Sequence, residues 1–173
     1  MKIGRLTISD RASEGVYVDA SGPEIERVLR GVFGADAVFL VAIVPDAVPA
    51  IAARLRSLAD TDRCDLIVTT GGTGVGLRDV TPEATRLVLE KELPGFGELM
   101  RMRSFDRVRT AILSRATAGV RGRSLIINLP GKPAAVAECL TLLVEAIREG
   151  LAHLQGRDPH APDRPVGDSP AGG

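Results

Sequence analysis

Thr69-Thr70-Gly71-Gly72-Thr73-Gly74-Val75-Gly76-Leu77-Arg78-Asp79-Val80-Thr81-Pro82-Glu83 is the stretch from which the rest of the chain can be read. Before it, Asp65-Leu66-Ile67-Val68 is a short apolar run with β-branched residues, which predicts a buried strand. After it, Thr81 is placed to cap a helix, Pro82 to open it, and Ala84, Leu87 and Val88 to form one face. The glycines therefore fall on a strand-to-helix turn. Gly71, Gly72, Gly74 and Gly76 can take positive φ and let a ligand approach the backbone. Free amides at such a turn, next to a helix start, attract an anion. Asp79 brings a carboxylate to the same place. A carboxylate and a phosphate repel unless a cation lies between them, which points to Mg²⁺. The same residues also suit a plain turn in which Asp79 bonds backbone amides.

Two familiar phosphate templates do not fit. A P-loop needs Lys-Ser/Thr after its last glycine, where this chain has Leu77-Arg78. The dinucleotide fingerprint needs a glycine where Leu77 stands.

Upstream, Ile3, Leu6 and Ile8 predict a first strand ending in Ser9-Asp10-Arg11 and a polar loop through Gly15. Ser9 and Asp10 thus lie just past a strand's carboxyl end, where open α/β sheets bind ligands; a solvated loop is the other reading. Ser21-Gly22-Pro23-Glu24 has the form of a capping box, followed by the stripe Ile25, Val28, Leu29, Val32 and a stop at Gly34. Ala37 to Val44 is nearly all apolar, as in a strand covered on both faces. Pro45-Asp46 follows, and Val48, Ile51, Ala52 and Leu55 make the next helical face. Asp46 reads either as that helix's N-cap or as a second carboxylate at a strand's end.

Downstream, Pro94-Gly95 breaks the chain before a face of Phe96, Leu99 and Met100. Arg101, Arg103, Arg107, Arg109, Arg115, Arg121 and Arg123 follow with Asp106 opposing them, a segment that is either solvated surface or an attractor of anions. Thr110 to Leu113 predicts a short strand ending at Ser114, and Ser124 to Asn128 another. Leu129-Pro130-Gly131-Lys132-Pro133 then repeats the strand, tight turn and helix of the first motif. Lys132 stands at the start of a helix striped by Val136, Leu140, Leu143, Val144, Ile147 and Leu151. A cation there opposes the helix dipole, which suits either an anionic ligand or a solvated lysine.

Alternating strands and helices predict a three-layer α/β/α domain with a mostly parallel sheet, spanning residues 1–155. Residues 156–173 hold almost no apolar side chains and predict a disordered tail; His153 and His160 lie at or in it and are given no catalytic work. The 173 residues are 45% hydrophobic, enough for one sizeable core. Lys+Arg equals Asp+Glu at 22 each, which argues against nucleic-acid or membrane partners. Cys64 and Cys139 make neither a disulfide framework nor a metal cluster. With no apolar membrane span and no signal-like start, a soluble cytoplasmic protein is expected.

Thr70 to Gly74, followed by Arg78-Asp79-Val80-Thr81-Pro82-Glu83-Ala84-Thr85, resembles the signature of the molybdenum cofactor biosynthesis fold. Thr7 to Ser13, Gly15-Val16-Tyr17, Pro94 to Glu98, Ala111 to Arg115 and Ile127 to Gly131 resemble its MogA type. The likeness runs from about residue 3 to about residue 151. It implies adenylyl transfer from ATP to molybdopterin with Mg²⁺, by a cytoplasmic homotrimer that hands its product to a molybdate-inserting enzyme. By the same likeness Asp46 and Asp79 act at the metal and phosphates, and Gly71, Gly72, Thr73 and Gly74 form the glycine turn. Ser104, Ser114 and Asn128 match substrate-pocket positions. The family's last turn often reads Pro-Gly-Asn-Pro or Pro-Gly-Gln-Pro; here Gly131 is followed by Lys132. A catalytically inactive molybdopterin-binding relative and a nucleotide hydrolase with a related domain are the rival expectations. Retention of both aspartates speaks against the first, the MogA-type opening against the second.

Overall fold

The structure, a computed structural model, describes residues 1–157; apart from Gly156 and Arg157, the expected disordered tail, with His160, lies outside the described residues. The strands are β1 (Lys2–Ile8), β2 (Val38–Val44), β3 (Leu66–Thr70), β4 (Lys91–Glu92), β5 (Ala118–Arg121) and β6 (Ser124–Leu129). The helices are α1 (Asp10–Ser13), α2 (Ser21–Phe33), α3 (Val48–Arg56), α4 (Thr81–Arg86), α5 (Pro94–Phe105) and α6 (Pro133–Leu154). One sheet runs β2-β1-β3-β6-β5-β4, its first four strands parallel and its last two antiparallel.

Alternation along the strands divides the core in two. Ile3, Leu66, Val68, Leu125 and Ile127 face α2, α5 and α6, where Ile25, Leu29, Met100, Leu140 and Ile147 meet them. Leu6, Ile8, Ile67 and Ile126 face α3 and α4, meeting Ile51, Leu55, Ala84 and Val88. This is the expected three-layer α/β/α arrangement. Each fully buried Leu or Ile contributes roughly 1.5–3 kcal/mol of transfer free energy, so β3 and β6, buried along their whole length, hold the site's foundation rigid.

Several local expectations give way to tertiary competition. The capping box at Ser21 does not form: the Asp19 carboxylate accepts the Ser21 and Gly22 amides at 3.1 and 2.9 Å, while the Ser21 hydroxyl donates to the Gly131 carbonyl at 2.6 Å. A charged acceptor outcompetes a hydroxyl for helix-start amides. Thr81 is not a cap; it is the first residue of α4, buried, and its face differs from the expected one because Leu87 is exposed. Ser9 to Ser13 is not open loop but holds the one-turn α1, with Ser9 as its cap. Ala37 to Val44 is not covered on both faces, because β2 is an edge strand that leaves Val38, Val41 and Ile43 exposed. Arg109–Leu113 is a 3₁₀ turn rather than a strand, and Ile112 and Leu113 stay exposed. Gly34 ends α2 as expected, at φ 90°.

Candidate functional site

The chain leaves β1 for α2 on one face of the sheet and returns from β2 through α3 on the other. With strand order β2-β1-β3, the crevice opens at the carboxyl ends of β1 and β3, the switch point at which such sheets bind ligands. Register aligns these ends: Thr7 pairs with Thr70, and Thr70 with Leu129. Ser9, Asp46, the glycine turn and the Pro130-Gly131 turn therefore meet at one edge. Thr70 Oγ1 ties the last two together by donating to the Pro130 carbonyl at 2.7 Å.

Gly71 and Gly72 have φ of +100° and +62°, and a Cβ on Gly71 would stand 2.3 Å from the Ile8 carbonyl. Only glycine fits there. The carbonyls of Gly71, Gly72 and Thr73 are all engaged. Thr81 Oγ1 donates to the Gly71 oxygen at 2.8 Å, the Thr81 amide to the Gly72 oxygen at 3.0 Å, and the Arg115 amide to the Thr73 oxygen at 2.8 Å. In a trans peptide the following N–H points the opposite way. The amides of Gly72, Thr73 and Gly74 have no acceptor among the described residues. Three successive free donors make a cradle that suits an anion. Thr81, read from sequence as a cap, is thus one of the two residues that fix this turn by engaging its carbonyls.

Beside the cradle, Asp10 and Asp46 bracket each other. The Asp10 amide donates to Asp46 Oδ2 at 2.8 Å and the Asp46 amide to Asp10 Oδ1 at 2.9 Å. Asp46 does not cap α3, whose N-cap is Ala47. Burial pushes the Asp46 carboxyl up, the Asp10 amide draws it down, and the charges of Asp10 and Asp79 push it up again. The Asp46 amide and the Arg78 guanidinium hold Asp10 below the ordinary carboxylate range. Asp79 does not cap α4; its Oδ2 accepts the Gly76 amide at 2.8 Å. Asp46 Oδ1 and Asp79 Oδ1 have no hydrogen-bond donor among the described residues.

Arg115, which the sequence marks through the arginine-rich segment and the family likeness but not as part of the glycine turn, is the second residue whose place in the site was missed. Its Nε donates to the Gly74 carbonyl at 2.7 Å, and its guanidinium also meets the Asp79 carbonyl and the Glu83 carboxylate. It borders a recess of about 310 Å³ lined also by Ser114, Thr117, Arg86, Arg101 and Glu92. Ser114 therefore lies next to the cradle through Arg115.

Other expected residues are placed differently. Asn128 is fully buried beneath the turn, its amide donating to Thr69 Oγ1 at 3.1 Å and Thr85 Oγ1 at 2.9 Å. It supports the floor rather than lining the crevice. Ser104 lies on α5 near Cys139 of α6, whose thiol it draws down against the effect of burial. Lys132 is exposed at the N-cap of α6 without a side-chain bond there, and Gly131 approaches Gly71 from across the crevice. The arginine-rich segment is not one anion-binding surface. Arg121 pairs with Asp60, Arg107 with Glu138 and Arg115 with Glu83, while Arg101 bonds the carbonyls of Ser114 and Ala116. Sequence distance hid these acidic partners. A larger hollow, about 540 Å³, lies by Met1, Asp65 and Arg148 at the opposite strand ends, away from the cradle.

The fold and this site define a doubly wound α/β domain with an amide cradle and a carboxylate bracket at its switch point. The family described as a probable molybdopterin binding domain matches residues 4–149, and the chain belongs to it. The molybdopterin adenylyltransferase of Helicobacter pylori strain J99 is 55% identical over 145 residues, covering 84% of this chain and 82% of that protein. The Escherichia coli K12 protein of the same name is 42% identical over 153 residues, covering 88% and 78%. The crystal structure of the molybdopterin biosynthesis enzyme MoaB from Thermus thermophilus aligns with a TM-score of 0.80 at 43% identity, covering 90% of this chain and 97% of that one. Among the described residues no helix is long and apolar enough to cross a membrane.

Proposed function

We propose that this chain transfers the adenylyl group of ATP to molybdopterin, releasing pyrophosphate. The observation that carries this reading is the run of three free amides at Gly72, Thr73 and Gly74 beside the Asp10–Asp46 bracket and Asp79. It supplies donors for a phosphate chain and negative charge for a cation beside it. A terminal phosphate oxygen of molybdopterin attacks the α-phosphorus; the bond from that phosphorus to the bridging oxygen breaks, and pyrophosphate leaves with the electron pair.

The residues fit Mg²⁺ bound in the usual way for nucleotide enzymes, through one or two carboxylates with waters and substrate phosphates completing the shell. No group of three or more acidic, His or Cys ligands forms a closed cage among the described residues, whereas Asp46 and Asp79 each keep one oxygen without a donor. Those two would hold the ion, and Ser9 and Asp10 would order the loop around it. Bound there, it would neutralise phosphate charge and stabilise the pyrophosphate leaving group. The chain's own groups do the remainder. The amides of residues 72–74 orient the phosphates, Thr81 and Arg115 fix that turn by engaging its carbonyls, and the recess at Ser114 receives molybdopterin, with Arg101 and Arg115 lending positive charge. Asn128 holds the floor, Gly131 closes the far wall, and Lys132 draws the anionic substrates in. Ser104 acts at most through the α5–α6 contact.

Incubation with molybdopterin, ATP and Mg²⁺, followed by mass analysis, tests the reaction. Adenylylated molybdopterin is expected. Molybdopterin binding without product would make the chain an inactive binding relative. A cytoplasmic homotrimer that passes its product to a molybdate-inserting enzyme belongs to the same proposal; light scattering giving a monomer at working concentration would remove the trimer.

A further inference from the structure

Arg78 has no role in the reading above, although it sits on the bracket. Its side chain is 67% exposed, yet it ends on Asp10, with Nε 3.0 Å from Oδ2 and Nη2 on the same oxygen. The other oxygen of Asp10 holds the Asp46 amide, and Asp46 returns the bond. Asp46 feels the charges of both Asp10 and Asp79 as well as that of Arg78. Asp10 and Asp46 are thus joined at this corner with Asp79 acting on Asp46 by charge, and Arg78 is the cation that bonds Asp10. Its neighbours Val75, Gly76 and Leu77 are exposed, and Leu77 fully so, so nothing packs the segment in place. An exposed pair of this kind is weak and easily exchanged. Two cations cannot share one corner without repulsion, and a guanidinium released beside a phosphate cradle finds oxygens that match its donor fork.

We infer that Arg78 is a stand-in cation: it occupies the carboxylate corner in the substrate-free chain, yields it to the divalent ion, and then turns to the nucleotide phosphates. This rests on the metal and nucleotide assignment proposed above. The exchange involves no bond making; it swaps one ion pair for another.

The test uses the full chain, Mn²⁺ as the probe ion, and an ATP analogue with a methylene bridge between the α- and β-phosphates, with binding followed by calorimetry. Arg78→Ala should bind Mn²⁺ about 3- to 5-fold more tightly without nucleotide, the size of an exposed ion pair. The same variant should bind the analogue with Mn²⁺ about 10-fold more weakly, through loss of a charge-assisted contact. Arg78→Lys, which keeps the charge, should stay near the parent in Mn²⁺ affinity. Melting temperature serves as the folding control. Opposite movement of the two affinities is the signature, because a residue that merely braces the loop would lower both. Equal or weaker Mn²⁺ binding by Arg78→Ala overturns the stand-in role and leaves the proposed function untouched. Absence of Mn²⁺ binding in every variant and the parent overturns the metal assignment, and the stand-in role with it.

Discussion

An aspartate that only braces a turn and one that also supplies charge to a reaction respond differently to asparagine. The asparagine side chain keeps an oxygen to accept the Asp10 or the Gly76 amide, so Asp46→Asn and Asp79→Asn should melt within a few degrees of the parent. Adenylyl transfer, measured as product over a range of Mg²⁺ concentrations, should fall about 10²-fold or more in each. Near-normal turnover in either would leave that residue a brace. Gly72→Ala tests the cradle: its Cβ would stand 2.4 Å from Thr81 Oγ1, on a backbone at φ +62°. It should cost roughly 1–3 kcal/mol and most of the activity, whereas Gly122→Ala, equally left-handed but in open space, should cost stability alone. Asp46, Asp79 and the glycines stood out in the sequence because their type and spacing are unusual, and the structure gathers them at one end of the sheet. Asp19 did not stand out, because nothing local marks it. Burial raises its carboxyl, but the Gly22 amide, Thr7 hydroxyl and Arg5 more than offset that and hold it low. A lowered folded value means stability present above the unfolded value, about 4, and lost as pH falls through the lower folded one. Asp19→Asn should therefore destabilise by roughly 2 kcal/mol at neutral pH, and its deficit in melting temperature should shrink below about pH 4.

At the scale of elements, strands with apolar cores were readable, and helix starts were readable to within a residue although their capping partners were not. Leu66–Thr70 and Ser124–Leu129 are buried on both faces, so their composition alone announces them. Caps depend on which acceptor competes: Asp19, two residues upstream, displaced the Ser21 hydroxyl, and the Gly71 carbonyl took the Thr81 hydroxyl. The arginine segment failed for the same reason, since Asp60 and Glu83 lie far away in sequence and adjacent in space. Cysteines give a check on element packing. Cys64 before β3 and Cys139 in α6 are 1% and 2% exposed, and burial pushes both thiols up to about 11. Neither should react with a thiol reagent at neutral pH until the chain unfolds, after which two equivalents should be consumed. Rapid modification of the folded chain would mean that β3 or α6 opens locally.

At the scale of the whole molecule, alternation of strands and helices predicted the layers, but strand order could not be read, because each crossover can turn to either side of β1. The end of α6 is set by geometry rather than composition. Gly156, at φ +70°, donates to the His153 carbonyl, and the Arg157 amide donates to that of Ala152 at 2.9 Å, closing the end of α6. A chain ending at Arg157 should keep the parent's melting temperature and transfer activity; loss of activity with the fold intact would give the remaining residues a place in the site. The open flank of the sheet carries a different consequence. β2 presents a seven-residue edge on which Val38, Val41 and Ile43 are exposed. Such an edge is a template for wrong partners while the protein is being made, so yield on refolding should fall steeply with protein concentration. Val41→Lys, a gatekeeper charge on that rim, should recover soluble yield at high concentration and leave the melting temperature nearly unchanged.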